Sequence, residues 1–393
     1  MQLPQDILAA VEERDLDRFG VTALAIAVDS GGDGYQKSWG VPVDATFRVA
    51  SLTKPIVAAA AMRLVEQRKL SLDEPLTGLR LPWAGITLRH LLSHQAGLAH
   101  DWSKPLAFYG EGDDALQRMA DDEAVGAPVG PGRLFSYSNP GYWLTGALIE
   151  RATGKPFEDS LRELVLEPLG MERTGFAPIE PSVPSDLPYP RARRPSGGLY
   201  SCVEDLRRFA WLLTGGWASQ SPLSRESIEE MQTPQIAVGP DGGYGLGLGV
   251  VHGRGCPTIE HGGAVAGIRA QLIVAQASSY VLLTNSDRGH FLINRLLGSV
   301  GLALHLPPEV AVSKADLEAL EGMFREPLGT TIRVTPRDGG IELTLAGEDG
   351  SAHLRPASPT RFVVREGDDQ GDWAEFFEDG RLMRYDTLFE RVA

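Results

Sequence analysis

The chain has 393 residues, 42% hydrophobic and 23% charged, which is typical of a globular protein long enough for two domains. Its formal net charge of −15 and pI near 5.0 argue against nucleic acid as a partner, because phosphates are bound by clustered Lys and Arg. No segment offers the ~18 uncharged apolar residues that span a membrane, so no membrane partner is expected.

The start of the chain and the cysteines indicate the compartment. Residues 1–20 alternate acidic and apolar residues and lack the basic start and long apolar stretch of a signal peptide. Cys202 and Cys256 are far apart, which predicts two ordinary thiols rather than a disulfide framework or a thiolate metal site. We therefore expect a cytoplasmic protein.

Apolar and glycine-rich runs predict that the fold opens with a hairpin followed by helices. Residues 21–28 form an apolar run, and the turn residues 30–34 lead into a second extended segment. Residues 56–69 are rich in Ala, Leu, Met and Glu and predict a helix with Ser51 at its N-terminus. Residues 86–95 predict a further helix.

The middle of the chain predicts a cap and the return of the sheet. Residues 100–195 mix short helices with proline- and glycine-rich loops, which indicates a mostly helical cap over a sheet. A late helix is predicted over residues 290–304. Early and late strands are expected to share one antiparallel sheet flanked by helices. The predicted late strands are 244–251, 268–275 and 280–285.

After Pro307-Pro308 the composition changes to alternating β material, which predicts a separate small antiparallel domain. A short helix over residues 314–323 precedes it. We therefore divide the chain into residues 1–308 and 309–393. The predicted strands of the second domain are 331–335, 340–345, 361–365, 374–377 and 381–385.

The first chemical motif is Ser51-Leu52-Thr53-Lys54, which places an amine one helical turn from a hydroxyl. A serine hydroxyl becomes a strong nucleophile when a neighbour takes its proton, and a lysine with a lowered pKa can do so. The helix N-terminus can also donate backbone N–H groups to an oxyanion. Alone this motif is weak, because a serine cap followed by a surface lysine is common.

The second motif is Tyr137-Ser138-Asn139, which follows a Pro131-Gly132 turn. A phenol near a lysine can carry a proton, and an Asn amide can orient both the lysine and a substrate carbonyl. Without Ser51 and Lys54, the preferred interpretation would be a turn with a buried aromatic ring.

The third motif is His261-Gly262-Gly263-Ala264, just before the strand predicted from residue 268. Glycines beside a strand edge let a ligand approach the backbone, as the second half of an oxyanion hole requires. The alternative is a glycine-rich hairpin turn with an exposed histidine.

Together VASLTK, YSN and HGG, in this order and at these separations, resemble the three motifs of the serine β-lactamase and penicillin-binding protein superfamily. More narrowly, the chain is similar to the branch with class C β-lactamases, family VIII-type carboxylesterases, D-aminopeptidases and DD-carboxypeptidases. The resemblance covers roughly residues 20–300 and is highly specific. The tail more weakly resembles the small β-barrel domains often appended to this branch.

The resemblance implies an α+β fold of the β-lactamase/transpeptidase type and a serine hydrolase without cofactor or metal. It implies that Ser51 is acylated, with Lys54 and Tyr137 sharing general acid and base work. Asn139 and His261 would line the site, and the backbone N–H groups of Ser51 and Ala264 would form the oxyanion hole, flanked by Gly262 and Gly263. Which of Lys54 and Tyr137 is the acylation base stays open.

One departure from the resemblance bears on the substrate. Most β-lactamases and DD-peptidases carry a lysine where this chain has His261, and that fixed cation helps to hold a substrate carboxylate. An ordinary histidine has a pKa near 6.5 and carries little charge at neutral pH. We therefore expect an esterase or amidase of small acyl or D-amino acid substrates. The alternatives are a β-lactamase or DD-carboxypeptidase, and a non-catalytic scaffold.

His90 and His94 have the spacing of metal ligands on a helix, but Leu91-Leu92-Ser93 lie between them and no Glu stands beside His90. A structural helix is therefore predicted, and no zinc. The expected partner is a small ester, amide or peptide. Three roles stay open for the second domain: it could gate the cleft, aid a homodimer or only stabilise the chain.

Overall fold

The computed structural model describes residues 3–101, 104–127, 129–185, 187, 189–216, 221–238, 242–346, 351–365, 373–384 and 387–392. No helix within these ranges is long and apolar enough to cross a membrane.

In the described residues, the largest sheet has eight antiparallel strands and joins the two ends of the predicted first domain. Strand β1 (Leu24–Ser30) lies between β2 (Asp33–Trp39) and β10 (Ser278–Thr284), as the shared sheet of early and late strands requires. Alternate residues of β1 enter apolar cores on opposite faces of the sheet. The sheet continues through β9 (Ile268–Ala275), β8 (Thr258–Val265), β7 (Gly249–Val251), β6 (Gly242–Tyr244) and β5 (Ile236–Ala237). A separate pair joins β3 (Phe47–Arg48) and β4 (Tyr200–Ser201).

Helices cover both faces of this sheet, which confirms the predicted fold class. Helices α2 (Thr53–Glu66), α5 (Asn139–Thr153) and α8 (Val203–Leu213) contribute to the larger core, and α10 (Gly289–Gly298) to the smaller one. The other helices are α1 (Glu13–Arg18), α3 (Leu88–Leu92), α4 (Ala115–Ala120), α6 (Phe157–Leu161), α7 (Arg194–Gly197), α9 (Arg225–Gln232) and α11 (Lys314–Ala319). The predicted cap, residues 100–195, contains α4, α5 and α6.

The C-terminal strands form a closed antiparallel barrel in chain order, with the last strand paired to the first. Alternating side chains fill its interior with an apolar core of its own. The division of the chain at residue 308 stays a prediction. The strands are β11 (Gly322–Arg325), β12 (Thr331–Arg337), β13 (Gly340–Leu345), β14 (Ser351–Pro356), β15 (Arg361–Val363), β16 (Trp373–Phe376), β17 (Leu382–Arg384) and β18 (Thr387–Val392).

The sheet differs from the prediction in two places. The strand predicted over 244–251 is split into β6 and β7, because Gly247 has φ +82° and turns the chain against α2. A Cβ on Gly247 would lie 2.8 Å from the Ala58 Cβ, so the turn fits closely. The third motif does stand before the strand predicted from residue 268, which is β9, but it also lies within β8, a strand that the sequence analysis missed because its glycines lower the strand signal.

Four predicted helices are too long at their C-terminal ends. The helix over 56–69 is α2, which begins earlier, at Thr53, and ends at Glu66, before the left-handed Arg68. The helix over 86–95 is only α3, because His94 adopts a left-handed conformation with φ +58°. The helix over 290–304 ends at Gly298, close to the left-handed Gly301. The helix over 314–323 ends at Ala319, and β11 begins at once from Gly322.

Candidate active site

Ser51 lies on a single 3₁₀ turn, Ala50–Leu52, between β3 and α2. Ala50 has φ +46°, a left-handed conformation that costs free energy for a residue with a Cβ. Ser51 itself is partly exposed and lines a cleft of about 790 Å³. The strained turn therefore presents the serine hydroxyl to the cleft while its flanking residues stay buried.

Lys54 is fully buried in the first turn of α2, directly behind Ser51. Its Nζ lies 3.0 Å from Ser51 Oγ, 2.9 Å from Asn139 Oδ1 and 2.8 Å from the Ser196 carbonyl oxygen. An ammonium group can donate to all three. A neutral amine can donate to Asn139 and Ser196 and accept from the Ser51 hydroxyl, so a proton can pass between Ser51 and Lys54 without rearrangement.

Ser196, whose carbonyl receives Lys54, was missed by the sequence analysis as a site residue. It lies on α7, and its hydroxyl accepts a hydrogen bond of 2.8 Å from Trp143 Nε1 on α5. Asn139 is the first residue of that same helix. Helix α5 therefore fixes both Asn139 and Ser196, whose oxygen atoms accept from Lys54. A backbone carbonyl leaves no residue-type signal, so no pattern in the sequence points to Ser196.

Tyr137 and Asn139 flank the start of α5. Ser138 caps the helix by accepting from Gly141 N at 3.3 Å, and its hydroxyl donates to the Ala99 carbonyl at 2.9 Å. The Lys54 Nζ lies 4.7 Å from the centroid of the Tyr137 ring. The second motif is thus a helix start that brings the phenol and the amide to the lysine.

His261 lies on β8 and is nearly buried. Its Nδ1 is 2.6 Å from the Gly262 carbonyl oxygen and its Nε2 is 3.0 Å from Tyr244 Oη. Because a carbonyl only accepts, Nδ1 carries the proton and Nε2 accepts from the phenol. Burial, and then the charge of Lys54, lowers the pKa of His261 to about 3. The imidazole is therefore neutral at physiological pH. It is buried, whereas the alternative of a hairpin turn required an exposed histidine.

The glycines of the third motif let β8 pass close to the turn that carries Ser51. A Cβ on Gly263 would lie 2.2 Å from the Val49 carbonyl oxygen, so only glycine fits there. At Gly262 the nearest atom to such a Cβ would be Gln271 Oε1, at 3.2 Å. Gly262, Gly263 and Ala264 all line the cleft beside Ser51. This juxtaposition is the one that a two-sided oxyanion hole needs.

Apart from Lys54, which lies behind Ser51, all the candidate residues line the cleft. These are Ser51, Tyr137, Asn139, His261, Gly262, Gly263 and Ala264. Three arginines also line it, and each pairs with a carboxylate. The pairs are Arg193 with Asp101 at 2.9 Å, Arg254 with Glu260 at 2.8 Å and Arg269 with Asp287 at 3.1 Å.

His90 and His94 do not face a common point. His90 Nδ1 accepts from Thr87 N at 3.2 Å, whereas His94 Nδ1 accepts from Ser138 N at 3.0 Å. Across the ranges that the structure describes, no group of three or more His, Cys, Asp or Glu side chains is arranged to hold a metal. The spacing of the two histidines reflects two separate structural hydrogen bonds.

Known proteins share this arrangement of sequence and fold. The family model described as Beta-lactamase matches residues 8–299. Penicillin-binding protein 4 of Amycolatopsis lactamdurans is 31% identical over 310 residues, which cover 67% of this chain and 80% of the relative. Esterase EstB of Burkholderia gladioli is 34% identical over 209 residues, or 44% of this chain and 50% of the esterase. The crystal structure of SurE with D-Leu has a TM-score of 0.78 at 26% identity and covers 99% of both chains. The chain therefore belongs to the Beta-lactamase family of serine hydrolases.

Proposed function

We propose that this serine hydrolase is an esterase or amidase that forms an acyl-enzyme on Ser51, with small acyl or D-amino acid substrates. The observation that carries the proposal is the 3.0 Å contact between Ser51 Oγ and the buried Lys54 Nζ. A hydroxyl and an amine at this distance have the geometry of a nucleophile and its base. Their place at the base of a cleft gives a substrate carbonyl access to the hydroxyl.

In the proposed acylation step, Ser51 Oγ bonds to the substrate carbonyl carbon and its proton passes to Lys54 Nζ or to Tyr137. The carbonyl oxygen becomes an oxyanion, held by the backbone N–H groups of Ser51 and Ala264. The bond to the leaving alcohol or amine then breaks, and the leaving group takes the proton. Water attacks the Ser51 ester by the reverse proton path and releases the acid.

Two features support esters and neutral amides over carboxylated β-lactams. His261 is neutral at pH 7, so the position where β-lactamases carry a lysine lacks a fixed charge. The cleft arginines described above are each already paired with an acidic side chain. A substrate carboxylate must compete with these pairs. The similarity to esterase EstB supports ester substrates, and the D-Leu in the SurE structure supports D-amino acid substrates.

The similarity to penicillin-binding protein 4 favours a second candidate, a β-lactamase or DD-carboxypeptidase. It requires the same acyl-enzyme on Ser51 but a carboxylate-bearing substrate. The scaffold alternative requires that Ser51 is not acylated. A cytoplasmic location and a homodimer stay predictions.

The test compares p-nitrophenyl acetate, a D-amino acid p-nitroanilide and a chromogenic cephalosporin as substrates for the wild type and Ser51→Ala. Mass spectrometry follows the acyl adduct on Ser51. We expect turnover of the ester or anilide that Ser51→Ala abolishes, with little cleavage of the cephalosporin. Ser299→Ala is the control, because among the described residues that hydroxyl donates only to the Leu296 carbonyl within its own turn.

Faster cleavage of the cephalosporin than of the other substrates would replace the proposal by the second candidate. Equal activity of the wild type and Ser51→Ala, with no adduct, would establish that Ser51 is not the nucleophile.

A further inference from the structure

We propose that His94 is a positioning residue that holds Tyr137 in place beside Lys54. The inference rests on the proposed function, because it concerns the proton-carrying groups of the Ser51 reaction. His94 lies outside the three motifs, directly after helix α3 and its capping residue Ser93. It is 1% exposed.

The backbone around His94 is hydrogen-bonded to the backbone around Tyr137. Ser136 N donates to the His94 carbonyl at 2.8 Å, and Asn139 N donates to the His100 carbonyl at 3.1 Å. The second motif therefore lies along the segment from residue 94 to residue 100 and takes its position from it. Further bonds between the two segments are Gly132 N to the Gln95 carbonyl and Ser138 Oγ to the Ala99 carbonyl.

The His94 ring adds two contacts that the backbone cannot make. Its Nδ1 accepts from Ser138 N at 3.0 Å. Its plane stacks on the Tyr137 ring, with the centroids 4.1 Å apart and an angle of 28° between the planes. One side chain therefore fixes both the rotation of the phenol ring and the peptide that follows it. The Lys54 Nζ lies over the same phenol ring, 4.7 Å from its centroid.

The left-handed backbone at His94 lets this residue make both a backbone and a side-chain hydrogen bond to the segment that carries the second motif. With φ +58°, its carbonyl and its side chain reach Ser136 N and Ser138 N, two donors two residues apart on the segment before α5. This left-handed conformation costs free energy in a residue with a Cβ, and Asn tolerates it better than other side chains. The strain indicates that the position is held by the surrounding contacts.

The surroundings of the ring favour an apolar residue, yet a histidine occupies the position. The rings of Phe135, Tyr142 and Tyr244 pack around it, at 5.7, 5.3 and 4.9 Å between centroids. Because Nδ1 accepts, Nε2 carries the proton, and this buried atom has no hydrogen-bond partner among the described residues. A phenylalanine or leucine would avoid this cost. The acceptor toward Ser138 N is what a histidine adds.

His94 stays an acceptor because it stays neutral. Burial lowers the pKa of His94 well below its ordinary value, and the charge of Lys54 lowers it further. The other titratable groups that face it are the phenols of Tyr137, Tyr142 and Tyr244. Within the described surroundings, no carboxylate contributes to its pKa.

The test compares His94→Leu and His94→Asn in the full chain. Leucine removes both the acceptor and the stacking ring, whereas the Asn side-chain oxygen can occupy the place of Nδ1 and restore the bond to Ser138 N. We expect kcat for p-nitrophenyl acetate to fall about 100-fold in His94→Leu and about 10-fold in His94→Asn, within the range of general acid–base effects. KM should change less than about threefold, because the substrate-binding residues remain.

His90→Asn is the matched control. His90 lies on helix α3, just before His94 in the chain, and its Nδ1 also accepts a backbone N–H, but from Thr87 and not from the second motif. We expect kcat of this variant to stay within about twofold of the wild type. Circular dichroism and thermal unfolding identify variants that fail to fold. If His94→Leu does not fold, His94→Asn provides the test.

A double-mutant cycle separates positioning from general stability. If His94 acts through Tyr137, then in a Tyr137→Phe background the substitution His94→Asn should lower kcat by less than about twofold. The inference would be overturned if the fall in kcat of the double variant equalled the product of the falls in the two single variants. It would also be overturned if folded His94→Leu or His94→Asn kept the kcat of the wild type. A wild type that acquires no acyl adduct on Ser51 would instead overturn the proposed function, so the two failures are distinguishable.

Discussion

The interior of the barrel and the interior behind the cleft are filled with different kinds of side chain. Among the described barrel residues, those with at most 1% exposure are apolar, and they include Phe324, Val334, Ile341, Phe362 and Leu382. Behind the cleft, Thr53, Lys54 and His94 are buried to the same degree. Apolar burial stabilises a fold directly, whereas buried polar groups cost free energy unless they are fully hydrogen-bonded. The barrel is therefore built for stability, and the region behind the cleft for chemistry.

The same contrast holds for the backbone. Ala50, beside Ser51, and His94, beside Tyr137, both adopt left-handed conformations, and strain of this kind is common where candidate reactive groups are held in place. In the described barrel, the one non-glycine residue with positive φ is Asp338, in the turn between β12 and β13. A left-handed Asp in a tight turn costs little. Strain at the cleft is thus local and tied to the candidate reactive residues.

The largest effect is expected from Lys54→Met, which keeps the volume of the side chain and removes its amine. Acylation of Ser51 should slow by about 10³-fold, because the amine that lies 3.0 Å from the hydroxyl is then absent. Stopped-flow release of p-nitrophenol measures the acylation rate. Lys69→Met, at an exposed lysine just after the same helix, is the control. If Lys54→Met were acylated at the wild-type rate, the buried polar groups behind the cleft would not serve the chemistry.

Phe362→Ala should destabilise the barrel while leaving the chemistry intact. Phe362 is fully buried in the barrel core, so truncation should lower the free energy of unfolding by about 3–5 kcal/mol. Urea unfolding followed by circular dichroism measures this loss, and Phe362→Leu should lose less. We expect kcat of the folded variant to be unchanged. A fall in kcat would show that the barrel is also part of the catalytic unit.

Gly263→Ala should disturb the cleft with a smaller loss of stability. The added Cβ would meet the Val49 carbonyl at 2.2 Å and push β8 away from the Ser51 turn, at about 1–3 kcal/mol. A displacement of this size should also lower kcat by about 10²-fold. Gly262→Ala is the control, since its nearest neighbour is the flexible Gln271 side chain at 3.2 Å. Equal effects of the two substitutions would contradict the close approach.

The smallest effect is the pH dependence contributed by His261. The folded protein keeps this imidazole neutral down to a pKa of about 3, whereas an unfolded chain protonates it near pH 6.5. The unfolded state therefore binds more protons below pH 6.5, and the free energy of unfolding should fall as the pH falls toward 3. Between pH 7 and pH 5 the loss should be about 2 kcal/mol at most.

Urea unfolding at pH 7 and pH 5 checks this loss. His261→Gln should show a weaker dependence on pH than the wild type, and His305→Gln, at an exposed histidine, should match the wild type. If the free energy of unfolding depended on pH in the same way in His261→Gln and in the wild type, the His261 imidazole could not be buried in its neutral form.

Local patterns predicted the parts of the fold that depend on neighbours in sequence. The apolar run over 268–275 has the bounds of β9, and the alternating run over 340–345 has those of β13. The division between β6 and β7 escaped prediction because it depends on the contact of Gly247 with a helix almost 190 positions away in the chain. Elements shaped by tertiary contacts leave a weaker trace in the sequence.

The candidate site follows the same rule. Ser51 and Lys54 could be paired from their spacing alone, because one helical turn brings them together. Tyr137, Asn139 and His261 required the resemblance to a family. Ser196 and His94 were not identified, since one contributes a backbone oxygen and the other a stacked ring. Neither role is specific to a residue type in a single sequence.

The pairing of β1 with β10 also constrains how the protein is made. The amide of Ala23, just before β1, donates to Asn285, which lies 262 residues later in the chain. At 5–20 residues per second, a ribosome needs roughly 13–50 s to supply that partner. During this time the apolar strand β1 has only its hairpin neighbour β2. Newly synthesised chains therefore carry an open, aggregation-prone sheet edge, and chaperones that cover this edge should raise the folded yield.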